Sequence, residues 1–154
     1  MMSLCCDVIQ TLRGKTLVTA ESLTGGGIGA ALTSVIGASA VYKGGIISYT
    51  NAVKHKLLGV PMELLDQFGA VSEPVAKAMA EGARKALEAD LAVSVTGLAG
   101  PTGDAFGNPV GTGVIGYSDS SKTAVKHCLF SGDRESIRSQ TIETALQLIL
   151  DMQK

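Results

Sequence analysis

Apolar residues Leu4, Val8, Ile9 and Leu12 recur at helical spacing over residues 4–13, and Gly14 follows as a C-cap. The period then shortens. Thr16-Leu17-Val18-Thr19-Ala20 reads as a strand, and an apolar helical pattern runs from Ile28 to Ile36. Between them lies Glu21-Ser22-Leu23-Thr24-Gly25-Gly26-Gly27, a sharp strand-to-helix turn carrying two hydroxyls and a cluster of glycines that continues at Gly29. The stretch from Val41 to Tyr49 ends in a strand, with Gly44 and Gly45 allowing a bulge or close backbone packing. Thr50 or Asn51 caps a short helix through Leu58, which Gly59 ends, and Pro61 to Phe68 forms another before the turn at Gly69. Ser72-Glu73-Pro74 opens an amphipathic helix with Val75, Met79, Ala83 and Leu87 on its apolar face.

Leu91 to Thr96 is a near-continuous apolar strand of the kind buried on both faces. A glycine-bearing loop, 97–111, follows it; a connection of this length is usually functional or disordered. Thr112–Tyr117 and Lys122–Phe130 pair as a hairpin around Ser118-Asp119-Ser120-Ser121. Asp133 caps a last helix whose buried stripe is Ile142, Ala145, Leu146 and Ile149. Strands and helices alternate early and a hairpin closes the sheet late. The expected fold is α/β: a single-domain α/β sandwich over residues 1–154, with a mixed, partly parallel sheet flanked by helices. If the strands ending near Ala20 and Thr96 are parallel neighbours, loops 21–29 and 97–111 open on one edge, where such sheets bind ligands. The hydroxyl-rich turn Ser48-Tyr49-Thr50-Asn51 would join them to make a pocket.

Bulk composition narrows the function classes. The 154 residues are 45% hydrophobic and 18% charged, with no Trp and 4% aromatics, so aliphatics and alanine must build the core. Net charge is −1 without a basic block, which argues against direct nucleic-acid binding. The cysteines, Cys5, Cys6 and Cys128, fit neither a disulfide framework nor a zinc site, and point to a reducing cytosol. No signal-peptide pattern and no membrane-length apolar run is present, so a soluble, cytoplasmic protein is expected.

The glycine turn can be read as a helix N-terminus whose free N–H groups receive an anion, or Ser22 or Thr24 can simply cap the helix. Each glycine costs a helix about 1 kcal/mol relative to alanine, so something besides helix stability favours the cluster. Gly14-Lys15-Thr16 is not a P-loop, because Ile9 stands where the earlier glycine is needed. Gly25, Gly27 and Ala30 fit only the relaxed dinucleotide fingerprint, and no acid stands near position 45 to bind a ribose. No cofactor and no metal is expected, since His55 and His127 are far apart and neither has a ligand partner at helical spacing. Hydroxyls, a phenol and amines remain. A lysine whose pKa is lowered by burial can activate a serine, which makes Ser22, Tyr49 and Lys54 the candidates. Tyr49 could equally end a strand, and Lys54 could sit in solvent.

Five segments together resemble the CinA C-terminal domain family, the nicotinamide-nucleotide amidase or competence/damage-inducible group. They are Thr19 to Gly26, Tyr49-Thr50-Asn51 with Lys54, Gly69 to Ser72, Thr96 to Pro101, and Gly132-Asp133-Arg134, in the family's order. The resemblance spans about residues 4–150 and implies a stand-alone amidase domain. It implies hydrolysis of the carboxamide of nicotinamide mononucleotide to nicotinic acid mononucleotide and ammonia, a step of pyridine nucleotide salvage. Ser22 would be the nucleophile, Lys54 its activating amine, and Tyr49 would transfer a proton or orient the lysine. Thr24, Gly25, Gly26, Gly27, Asn51, Thr96, Gly97, Ala99, Gly100 and Pro101 would hold the nucleotide and the oxyanion. The implied partners are this nucleotide or a related one and further copies of the chain in a homo-oligomer, with neither nucleic acid nor membrane. A non-catalytic nucleotide-binding or competence/damage-associated regulatory module is the alternative. The chain departs from the family at Leu23, where Cys is usual, and at Thr102, where Gly is usual.

Overall fold

The computed structural model describes residues 1–154. Helix α1 (Met2–Thr11) leads to strand β1 (Leu17–Glu21) and helix α2 (Gly27–Thr33). Strand β2 (Tyr42–Ile47) precedes α3 (Asn51–Leu58), α4 (Met62–Phe68) and α5 (Glu73–Ala86). Strands β3 (Leu91–Gly97), β4 (Thr112–Ser118) and β5 (Thr123–Leu129) complete the sheet before α6 (Arg134–Asp151). The five strands lie in the order β2-β1-β3-β4-β5. β1 pairs parallel with β2 and β3, while β4 runs antiparallel to β3 and β5. The expected mixed sheet is present.

The period-2 geometry of the strands sorts the core into two layers. Leu17, Leu91, Val93, Val95, Ile115 and Tyr117 face one way and pack with Val8, Leu12, Ile28, Leu32, Leu146 and Ile149 of α1, α2 and α6. Val18, Ala20 and Ala92 face the other way, against Leu58, Leu65, Val75, Met79 and Ala83 of α3, α4 and α5. β1 and β3 are buried on both faces, as their continuous apolar sequences predict. Because they are parallel neighbours, the chain segments after Glu21 and Gly97 leave the sheet at the same edge. β2, also parallel, delivers Ser48 and Tyr49 there.

Several boundaries differ from the sequence expectation. α2 stops at Thr33, and Ile36, expected inside it, is fully exposed. Thr33 and Ser34 turn their hydroxyls back onto the carbonyls of Gly29, Ala30 and Ala31, and Gly37 takes a left-handed φ of 89°. β2 begins at Tyr42 and leaves Tyr49 outside it. Ser72 does not cap α5; its hydroxyl donates to the Gly69 carbonyl. Thr50 caps α3 and Asp133 caps α6 through side-chain acceptors. The 97–111 loop is held together by Asp104, which accepts from the backbone of Phe106 and Asn108 and from the Asn108 amide, and that amide also donates to the Val71 carbonyl.

α3 and α5 meet where Gly82 faces the Leu58 carbonyl, and a Cβ there would overlap that backbone. Alanine ordinarily favours a helix over glycine by about 1 kcal/mol. Gly82→Ala is nevertheless expected to destabilise by about 1–3 kcal/mol, the usual cost of overpacking. A urea titration checks this: the midpoint should fall with the slope unchanged, and an unchanged midpoint would show that α3 and α5 separate freely.

Candidate active site

Ser22 is the first residue after β1, and its N–H still donates to the Val95 carbonyl of β3 at 3.1 Å. It is held by the sheet at the point where the chain turns towards α2. Lys54 lies one turn into α3. Helical side chains lean towards the N-terminus, so Lys54 reaches back over the turn that precedes its own helix. Its Nζ lies 3.0 Å from Ser22 Oγ, 2.7 Å from the Ser48 carbonyl and 3.2 Å from the Tyr49 carbonyl. The lysine is 1% exposed and the serine 6%.

The electrostatics of this pair are unusual for a protein amine. No carboxylate pairs with Lys54; the single ion pair in the chain is Lys154–Asp151, at 3.8 Å. Burial therefore acts unopposed and lowers the amine from 10.5 to about 8. About a tenth of the molecules would carry the neutral amine at pH 7, against roughly one in three thousand for a solvated lysine. A neutral amine has two N–H donors and one lone pair. With the Ser48 and Tyr49 carbonyls accepting the two donors, the lone pair is left for the Ser22 hydroxyl.

The pair opens into a cavity of about 360 Å³. Leu23, Ala70, Val71, Leu98 and Ala99 make its apolar wall, and Thr96, Gly97, Gly100, Thr102 and Gly103 add backbone and hydroxyl groups. Tyr49 and Arg134 stand on its lining as well. Arg134 donates to the Gly100 carbonyl at 2.7 Å and to the Tyr49 hydroxyl at 3.3 Å, so it ties the three surrounding segments together. Lys54 and Arg134 are the only charged side chains of the lining, and both are cationic. A larger groove of about 730 Å³ between α3, α4 and α5 contains none of Ser22, Tyr49 or Lys54.

The expected residues divide into two groups. Ser22, Lys54, Tyr49, Thr96, Gly97, Ala99 and Gly100 come together on the cavity. Tyr49 bonds to Lys54 only through its backbone carbonyl; the residue is 60% exposed and its phenol accepts from Arg134. Thr96 gives its hydroxyl to the Ala70 carbonyl at 2.9 Å. Thr24, Gly25, Gly26, Gly27, Asn51 and Pro101 lie outside the lining. Asn51 is exposed at the start of α3, and Pro101 is exposed beside the loop residues that do line the cavity. Thr24 is fully buried and donates to Glu21.

The N-terminus of α2 does not stand open to an anion. The N–H groups of Ile28 and Gly29 donate to the Glu21 carboxylate at 2.8 and 3.0 Å, while Gly25 and Gly27 donate to the carbonyls of Ser22 and Thr24. The glycines answer to backbone geometry and packing. Gly25 and Gly26 take φ of 58° and 98°, and a Cβ on Gly27 would come 2.7 Å from Ile142 Cδ1. In contrast, the N–H groups of Leu23 and Ala99, both cavity residues, donate to no acceptor within the chain.

Sequence reasoning left out Glu21, Leu23 and Arg134 as site residues. Glu21 could have been noticed as an acid at the end of an otherwise apolar strand. Arg134 stood within one of the family-like segments, but its approach to the cavity depends on how α6 crosses the sheet. No group of three or more His, Cys, Asp or Glu residues is placed to hold a metal, and no helix is long and apolar enough to cross a membrane.

The family model for the CinA C-terminal domain matches residues 3–153. A CinA-like protein of Sulfurihydrogenibium sp. is 49% identical over 135 residues, which is 88% of this chain and 34% of that protein. A CinA-like protein of Geobacter sulfurreducens is 48% identical over 134 residues, 87% of this chain and 32% of that protein. The chain thus spans about a third or less of the length of these curated relatives. Among solved structures, the competence/damage inducible protein CihA of Agrobacterium tumefaciens superposes with a TM-score of 0.96 at 37% identity, covering 99% of this chain and 95% of that one. A CinA superfamily protein of Escherichia coli gives 0.96 at 32% identity, with 98% and 89% covered. Sequence match, relatives and fold agree along the whole sheet and both helical layers: the chain belongs to the CinA C-terminal domain family.

Proposed function

We propose that the Ser22–Lys54 pair is the centre of a serine–lysine amidase acting on the carboxamide of nicotinamide mononucleotide. The observation that carries this reading is a buried lysine without a carboxylate partner, 3.0 Å from a serine on the wall of a cavity. Such an amine is a base near neutral pH, which is what a serine nucleophile requires. Arg134, the cation at the cavity mouth, favours an anionic substrate such as a nucleotide, and the apolar wall suits an aromatic ring.

In this mechanism Ser22 Oγ attacks the carboxamide carbon as its proton passes to Lys54. The N–H groups of Leu23 and Ala99, among the unpaired backbone donors of the lining, would serve the developing oxyanion. The tetrahedral species collapses as the Lys54 ammonium gives its proton to the departing nitrogen, which leaves as ammonia. Water then loses a proton to Lys54 and attacks the acyl-serine ester. The carboxylate product departs as Ser22 regains its proton. Tyr49 orients the lysine through its carbonyl, and its phenol accepts from Arg134 at the cavity mouth.

Incubation with nicotinamide mononucleotide should release ammonia and nicotinic acid mononucleotide in equal amounts, and Ser22→Ala should lower kcat by about 10³-fold or more. Tight nucleotide binding without ammonia release would instead favour the non-catalytic module. The rate kcat/KM should rise with pH through about 8, because the neutral amine is the active form; a profile flat from about pH 6 to about 9 would remove Lys54 as the base. The same shift has a stability sign. Between about 8 and 10.5 the unfolded chain holds the lysine proton more tightly than the folded one, so stability contributed at Lys54 rises with pH. From about pH 7.5 to about 9 the urea midpoint of the wild type should therefore rise relative to that of Lys54→Met.

A further inference from the structure

Glu21 is the one acid among the buried residues, 2% exposed, and no cation stands within ion-pair distance of it. Burying a carboxylate is costly unless its lone pairs are met, and here donors surround it. Oε1 accepts from the Thr24 hydroxyl at 2.7 Å and the Ile28 N–H at 2.8 Å. Oε2 accepts from the Gly29 N–H at 3.0 Å and the Thr19 hydroxyl at 3.2 Å. The Thr19 hydroxyl lies 2.8 Å from the Tyr42 hydroxyl. Since Thr19 spends its hydrogen on Glu21, Tyr42 is the donor in that contact. A chain of hydrogen bonds thus runs from the edge strand β2, through β1, to the start of α2.

Two glycines outside the cavity find their reason in this chain. A Cβ on Gly29 or on Gly45 would come 2.7 Å from the Tyr42 hydroxyl, and on Gly45 it would also meet the Thr19 hydroxyl. Their small size reserves the space through which Tyr42 reaches Thr19. A helix cap alone does not call for such an arrangement. α2 has seven residues, and a serine or aspartate at the turn would cap it with no buried carboxylate. What Glu21 adds is its place on the chain, one residue before Ser22. The turn it grips is held from the far side by Arg138, which donates to the Leu23 and Thr24 carbonyls at 2.9 and 3.1 Å.

We propose that Glu21 is a positioning residue: supported by Thr19 and Tyr42, it fixes the strand-to-helix turn so that Ser22 Oγ stays at 3.0 Å from Lys54 Nζ. The inference rests on the amidase reading of that pair. Glu21→Gln keeps the shape, but its amide nitrogen must face the N–H of either Ile28 or Gly29, so one contact of the turn is lost whichever way it lies.

The test measures kcat and KM for nicotinamide mononucleotide, thermal midpoint, and the rate at which a fluorophosphonate phosphonylates Ser22 with loss of fluoride. Glu21→Gln should lower kcat and the labelling rate together by about 10- to 100-fold, with KM changed less than about 2-fold, because a small misplacement of a reacting group costs rate rather than binding. The rise of kcat/KM with pH should keep its wild-type position. Tyr42→Phe should act in the same direction by a few-fold, and Glu21→Ala more strongly than Glu21→Gln. If Glu21→Ala fails to fold, Glu21→Gln and Tyr42→Phe decide. Wild-type kcat and labelling in Glu21→Gln would overturn the proposal, as would a rise in KM at constant kcat. Labelling of the wild type at Ser22 without ammonia release would refute the substrate while slowed labelling in Glu21→Gln still upheld the positioning role. Absence of labelling in the wild type overturns both readings.

Discussion

A lysine that is 1% exposed and has no carboxylate to neutralise it is the constraint on which the site depends. A solvated amine near pH 7 is an acid with its proton firmly held. Removing water without supplying an anion shifts that balance, and here burial alone brings the amine to about 8. The surroundings meet both protonation states. Three oxygens can accept from the ammonium, and in the neutral form two carbonyls take the hydrogens while the lone pair addresses Ser22. This is an economical way to keep a base poised beside a hydroxyl without histidine, and it is consistent with the exposed position of His127 and with His55 facing the Val60 carbonyl.

Parallel pairing of β1 with both β2 and β3 brings the parts of the site to one edge. β1 delivers Ser22, the turn after β2 delivers the two carbonyls and then α3 with Lys54, and β3 delivers the 96–100 wall. Each piece stands at the end of a strand or the start of a capped helix, so its position is set by the sheet. Ala70 and Val71 come from the turn before α5, and Arg134, at the first turn of α6, connects the cavity mouth through its bonds to Gly100 and Tyr49 to the helical layer on the other face.

The two carboxylate questions of the chain have opposite answers. An acid is withheld from Lys54, and an acid is supplied to the start of α2, where Glu21 occupies the N–H groups of Ile28 and Gly29. The glycine cluster beside it then reads as a packing device. Left-handed backbone at Gly25 and Gly26 makes the turn, Gly27 clears Ile142, and Gly29 clears Tyr42.

By itself the sequence determined the alternation of strands and helices, the buried character of β1 and β3, the cap at Asp133, and Ser22, Tyr49 and Lys54 as the candidate residues. These are local or pattern properties: apolar period, turn chemistry and the order of motifs along the chain. Tertiary structure alone decided which of the polar residues near the pair face the cavity. Gly25, Gly26 and Gly27 were legible as a helix start, but whether the N–H groups there were free depended on the fold of the turn: Gly25 and Gly27 donate to the Ser22 and Thr24 carbonyls, and Glu21 folds back to take those of Ile28 and Gly29. Tyr49 was legible as a neighbour of Lys54, yet its phenol turned towards Arg134, 85 residues away in the chain. Burial of Lys54 likewise follows from the packing of α3 over the end of β1, because desolvation is a property of everything that surrounds an atom and has no signature in the residues next to it in sequence.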